Sequence, residues 1–93
     1  MKHRLTSRAY RDIENILTYI QERNPRAAET VVERIEKTLD LICEMPLIGR
    51  PSGRPGAREH PVRHTPLLVV YQLTGDTIEV LTIFHTSRDP RDK

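Results

Sequence analysis

The chain has 93 residues, 37% hydrophobic and 30% charged, with a net charge of +2, which limits it to one modest core and so to a single domain over 1–93. No run approaches the roughly 20 apolar residues that cross a bilayer, no charged start leads into an apolar leader, and one cysteine, Cys43, cannot close an internal disulfide; a cytoplasmic location away from membranes is expected. The positive excess lies in the second half, where Arg50, Arg54, Arg58 and Arg63 cluster beside His60 and His64 against a single acid, Glu59.

His3 to Thr6 reads as a short extended segment, and Ser7 as the cap of a first helix. Ala9, Ile13, Ile16, Leu17 and Ile20 then recur at the three-and-four spacing of one helical face. Asn24-Pro25 ends that helix and starts another, since Asn caps well and Pro at the first helical position gives up an amide that has no partner anyway. Ala28, Val31, Val32, Ile35, Leu39 and Ile42 form the second apolar stripe, while Glu29, Glu33, Arg34, Glu36, Lys37 and Asp40 read as its outer face, with Glu33 and Lys37 spaced as an ion pair.

Residues 46–56, PLIGRPSGRPG, hold three prolines and three glycines and predict an exposed loop without regular structure. Residues 57–64 follow as a strand that Pro61 pushes toward an edge. Thr65-Pro66 turns the chain into a strand over 67–73, Thr74-Gly75-Asp76 turns it again, and 77–85 form the last strand. The expectation is an α+β fold: a helix hairpin packed on a small antiparallel sheet, in the order β-α-α-β-β-β.

Both faces of the last two strands are apolar, with Leu67, Val69 and Tyr71 opposite Leu68 and Val70, and Ile78, Val80 and Phe84 opposite Leu81 and Ile83. Two helices form one layer and cover one face, so part of the other is expected to stay open for a protein partner.

The chemistry the residues offer is narrow. Ser7, Ser52 and Ser87 sit at a helix start, in a loop and in the tail, with no triad around them, and no phosphate-binding glycine motif occurs. His60 and His64, four strand residues apart, are separated by roughly 13 Å, too far for one metal ion. No cofactor or metal is expected. Cys43 reads as a small core residue. RNA cleavage without a metal needs a base, an acid and a cation at the phosphate, and Arg58, His85 and Arg88 are the candidates for it. Arg50, Arg54, Arg58, Arg63 and Arg88 are the candidates for binding an acidic or phosphate-bearing target.

Several segments, in order and spacing, resemble the RelE/ParE toxin superfamily, and above all its ParE-like, plasmid-stabilisation branch. They are Ala9-Tyr10-Arg11-Asp12-Ile13, Ile16-Leu17-Thr18-Tyr19-Ile20, Asn24-Pro25-Arg26-Ala27-Ala28, Met45-Pro46-Leu47-Ile48-Gly49-Arg50, Arg58-Glu59, Leu68-Val69-Val70-Tyr71, Gly75-Asp76-Thr77-Ile78-Glu79-Val80-Leu81 and His85-Thr86-Ser87-Arg88-Asp89. The resemblance implies the same β-α-α-β-β-β fold, a cognate antitoxin partner, toxin-antitoxin hetero-oligomers, and DNA gyrase as target. RNase members of the superfamily share a lysine and arginine cluster near the second strand and often an aromatic residue near the C-terminus. This chain has only Lys2, Lys37 and Lys93, and no Tyr or Phe after Phe84, which favours the gyrase-directed branch over the mRNA endonucleases that act on ribosome-bound or free transcripts. Thr86 stands where members commonly carry glycine. A domain that only binds partners and no longer intoxicates is the remaining reading.

Overall fold

The computed structural model describes residues 1–86. Its elements are β1 (Lys2–Leu5), α1 (Ser7–Arg23), α2 (Pro25–Glu44), β2 (Arg50–Pro51), β3 (Ala57–Pro61), β4 (Leu67–Thr74) and β5 (Thr77–His85). The five strands form one sheet in the order β1-β5-β4-β3-β2, with both helices packed on one face.

The expected element order holds, and the details show where local chemistry shifted it. The sheet is mixed, because β1 lies parallel to β5, Arg4 opposite Glu79 and Leu5 opposite Val80. Thr6, not Ser7, then lifts the chain off that edge. Its N–H donates to Val80 O at 3.1 Å, its hydroxyl donates to Leu81 O, and the same oxygen accepts from Ala9 N–H as the helix cap. At the helix junction Asn24 Oδ1 accepts from Ala27 N–H with Pro25 following, as read from the sequence. Within the Pro/Gly stretch, Arg50 and Pro51 pair with Glu59 and Arg58 as a two-residue strand, so 46–56 is not wholly irregular. β3 stops at Pro61, short of residue 64. Proline gives the ladder no amide, and a turn follows in which Thr65 N–H donates to Val62 O and His64 takes φ +62°.

The main core lies between the helices and the sheet. Ala9 and Ile16 from α1 and Ile35, Leu39 and Ile42 from α2 pack on Val69, Tyr71, Ile78, Val80 and Ile83. Full burial of a large side chain of this kind contributes about 1.5–3 kcal/mol, so this face supplies most of the stability. Where β1 runs out, α1 takes over the edge of β5. Asp12 accepts a hydrogen bond from the Thr82 hydroxyl and one from Ile83 N–H at 3.2 Å, next to a bulge that shifts the register at Val70/Tyr71.

The far face of the sheet is closed, contrary to expectation. Ala57, Leu68, Val70 and Phe84 are 4%, 4%, 0% and 8% exposed, packing on one another and on Leu81. Alongside them a polar ladder crosses three strands: Arg4 and Gln72 both donate to the Glu79 carboxylate at 2.7 Å. The bonds from Gln72 and Arg4 hold that carboxyl below its ordinary range. No helix among the described residues is long and apolar enough to cross a membrane.

Candidate functional site

The arginines that crowd together in the sequence are dispersed in space. Arg50, on the short edge strand, donates through Nε to Glu59 Oε1 at 2.9 Å with its side chain 71% exposed. Arg54 sits in the β2–β3 connection, its N–H on Ser52 Oγ and its carbonyl accepting from Ala57 N–H. Arg58 is half-buried and turned inward. Its Nη1 donates to Gly49 O at 2.7 Å and Leu47 O at 3.3 Å, which ties the α2–β2 connection to β3. Arg63 is exposed in the turn after β3. Arg88 lies outside the described residues.

Tyr71 joins Arg58 in holding that connection. Its buried hydroxyl donates to Pro46 O at 2.8 Å and accepts from Gly49 N–H at 2.9 Å. Gly49 has to be glycine, because a Cβ there would stand 2.6 Å from Tyr71 Oη and 2.9 Å from Glu59 O. Tyr71 is therefore core, with its polar tip satisfied inside the chain.

His85 ends β5 opposite Leu67 and lines an apolar groove of about 290 Å³ between the junction end of the helix hairpin and the start of β4. Ile16, Tyr19 and Ile20 form one wall, Ala27 and Val31 the other, and Pro66 and Leu67 the floor. Arg23 stacks over the Tyr19 ring at 3.6 Å beside it. Arg58 pairs with Tyr71, four residues along β4 from Leu67 and on the other neighbouring strand. At about 3.3 Å per residue and about 4.8 Å per strand, the Arg58 and His85 Cα atoms stand on the order of 16 Å apart. The structure does not bring these two candidates together.

A second groove, of about 620 Å³, runs between α2 and the β3–β4 turn, lined by Arg34, Lys37, Thr38, Leu41, His60, Pro61, Arg63 and His64. The sequence reading missed it. Arg34 and Lys37 look like outer-face charges on a helical wheel, and in the sequence His60 and His64 stand beside the arginine cluster and too far apart for one metal ion, with nothing to join them to α2. In the fold, Arg34 Nη1 donates to His64 O at 3.1 Å and draws the turn against the helix. Lys37 makes no ion pair with Glu33; it lines the groove. Among the described residues no group of His, Cys, Asp and Glu could hold a metal ion. Cys43 packs half-buried against the core, and burial pushes its thiol up, away from the reactive thiolate.

Burial lowers the pKa of His60 below its ordinary 6.5, so the unfolded chain takes up a proton before the folded one does. Folding stability that depends on neutral His60 is present above about pH 6.5 and is lost as the pH falls below it. Urea unfolding at pH 7.0, 6.0 and 5.5 should show the parent weakening through this window and His60→Gln weakening less. Equal slopes for the two proteins would remove His60 as a cause.

The family described as ParE toxin of the type II toxin-antitoxin system, parDE, matches residues 4–90. The putative toxin Y4kP of Sinorhizobium fredii is 37% identical over 88% of this chain and 84% of its own length. Toxin RelE1 of Caulobacter vibrioides is 35% identical over 84% and 85%. Among solved structures, a chain of the chromosomal ParDE TA system from P. aeruginosa superposes with a TM-score of 0.83 at 24% identity, covering 91% of this chain and 95% of that one.

Proposed function

Because the chain belongs to the ParE toxin family, and is thus the toxin of a type II toxin-antitoxin system, we propose that it arrests growth by binding DNA gyrase in the cytoplasm, not by cutting RNA. The observation that carries this reading is the separation of His85 from Arg58. Cleaving a phosphodiester requires acid, base and cation within hydrogen-bond reach of one phosphate. Here His85 faces an apolar groove, and the Arg58 guanidinium is held by the carbonyls of Leu47 and Gly49. The far face of β3 and β4 carries Glu59, Pro61, Leu68 and Val70 where they pair, none of them a cation suited to a scissile phosphate. Arg63 is exposed, Arg54 partly exposed, and Arg50 exposed although paired through Nε with Glu59; these three remain as cations for an acidic target surface, and the whole chain acts as one toxin domain.

The antitoxin, in this reading, neutralises the toxin by laying apolar side chains into the groove beside His85, giving a hetero-oligomer. Its lining is predominantly apolar and already formed, which suits an amphipathic segment that orders on binding.

The test is His85→Gln, which keeps the size and hydrogen-bonding capacity of the side chain but cannot shuttle a proton near neutral pH. An enzyme that used His85 for proton transfer would lose roughly 10²–10⁴ in rate. A binding toxin retains most of its growth arrest. Induced cultures of parent and variant, with transcripts probed for cleavage, decide between them. Loss of arrest together with loss of transcript cleavage would establish the endonuclease instead, and no arrest by the parent would leave a domain that only binds partners.

A further inference from the structure

We propose that the groove between α2 and the β3–β4 turn is a docking site for an extended acidic polypeptide segment. The inference rests on the antitoxin reading in one respect, that a protein partner supplies the segment, and adds a second contact surface with its own chemistry.

Charge is the first argument. Arg34, Lys37 and Arg63 bring three permanent positive charges to one concavity, His60 and His64 stand between them, and among the described residues no Asp or Glu lines it. The acids of α2, Glu29, Glu33, Glu36, Asp40 and Glu44, are exposed outside the lining. Of the five donors on the Arg34 guanidinium, one bonds to His64 O. That bond sets the plane of the fork, so a carboxylate meets a pre-positioned guanidinium.

Shape is the second. β2 covers β3 only at Arg58 and Glu59, so at His60 and Pro61, which pair with β4 on one side, the other side of β3 has no strand beside it among the described residues. A chain laid along this edge would present alternate side chains to the groove. Leu41 and Pro61 give the lining apolar stretches between the charges, where aliphatic parts of such a segment can rest.

The same features disfavour nucleic acid. Single strands bind on aromatic platforms that stack bases, and among the described residues no Phe, Tyr or Trp lines this groove, whose rings are the two small imidazoles of His60 and His64. A duplex is convex and rigid and needs a protruding element to enter its grooves, whereas these cations line a hollow.

Fluorescence anisotropy tests the proposal. The full chain, made by cell-free synthesis, is titrated against a labelled dodecapeptide of alternating Glu and Ala, the matching Gln-Ala peptide, and a dodecamer of deoxythymidylate. Binding of the Glu-Ala peptide should exceed that of the other two at least tenfold at low salt and weaken as salt rises. Lys37→Glu with Arg63→Glu should cost it at least tenfold, Lys37→Gln with Arg63→Gln several-fold, and Ala27→Trp in the apolar groove less than twofold. Lys37 and Arg63 are exposed, and an unchanged melting temperature verifies the fold of each variant. Equal peptide binding by parent and charge-reversed chain would overturn the inference. So would tighter binding of the oligonucleotide that the same two substitutions abolish. Failure of the apolar groove to bind antitoxin, with peptide binding intact, would count against the antitoxin reading alone.

Discussion

Replacing Gly49 by alanine should destabilise the chain by about 3 kcal/mol, the upper end of what overpacking costs, and lower its melting temperature by roughly 12–24 °C at this size. The added methyl group would meet Tyr71 Oη at 2.6 Å and Glu59 O at 2.9 Å, and neither can give way cheaply. Tyr71 is 1% exposed, with its hydroxyl fixed between Pro46 O and Gly49 N–H. Glu59 O belongs to the backbone of β3. Relief of one contact by movement of the 46–49 connection would break the bonds that Arg58 makes to Leu47 and Gly49. Tyr71→Phe removes one clash partner but leaves the Gly49 amide without its acceptor, a cost of about 1–3 kcal/mol by itself. The double variant should therefore lose less than the sum of the two single losses. A Gly49→Ala chain that melts within about 2 °C of the parent would show that the approach of these groups is not tight.

Ala27→Trp should weaken the antitoxin complex about 100-fold, equivalent to about 2.7 kcal/mol, while leaving toxicity in place. Ala27 stands at the start of α2, its N–H on Asn24 Oδ1, and its side chain lines the apolar groove. An indole there would occupy the space where the antitoxin's anchoring side chain is proposed to go, the kind of position where truncation or blockage costs most. Because Ala27 is only half-buried, the indole can displace solvent without opening the core. The measurement is co-expression with the antitoxin followed by titration of the purified partners. Undiminished affinity would move the antitoxin contact elsewhere.

The elements were legible wherever local chemistry and hydrophobic period agreed. The Asn24-Pro25 junction was readable because cap and first-turn proline stand side by side, and the apolar stripes of both helices point to the core that forms. The errors came from tertiary choices. Local preference points to Ser7 as the cap; Thr6 takes the place because it also meets Val80 and Leu81 across the sheet. The parallel pairing of β1 with β5 joins residues about 75 apart, beyond any local signal. Part of the far face was expected to stay open because two helices cover only one face, whereas Leu68, Val70 and Phe84 are buried and cluster with Ala57 and Leu81.

The site was less legible than the fold. Proximity in sequence suggested that Arg50, Arg54, Arg58 and Arg63 form one patch, yet strand alternation and the turn after Pro61 send them to different places, and Arg58 directs Nη1 at two backbone carbonyls. The cationic groove draws Arg34 and Lys37 from α2 and His60, Arg63 and His64 from some 25 residues later. Only packing of the hairpin on the sheet assembles it.

The claim that the toxin binds its target without cutting RNA is tested most directly by adding the purified chain to two purified reactions, supercoiling of relaxed plasmid by DNA gyrase and incubation of a labelled transcript with and without ribosomes. The account predicts that supercoiling falls in a dose-dependent way, that antitoxin restores it, and that the transcript stays intact in both conditions. Undisturbed supercoiling beside a cleaved transcript would contradict it.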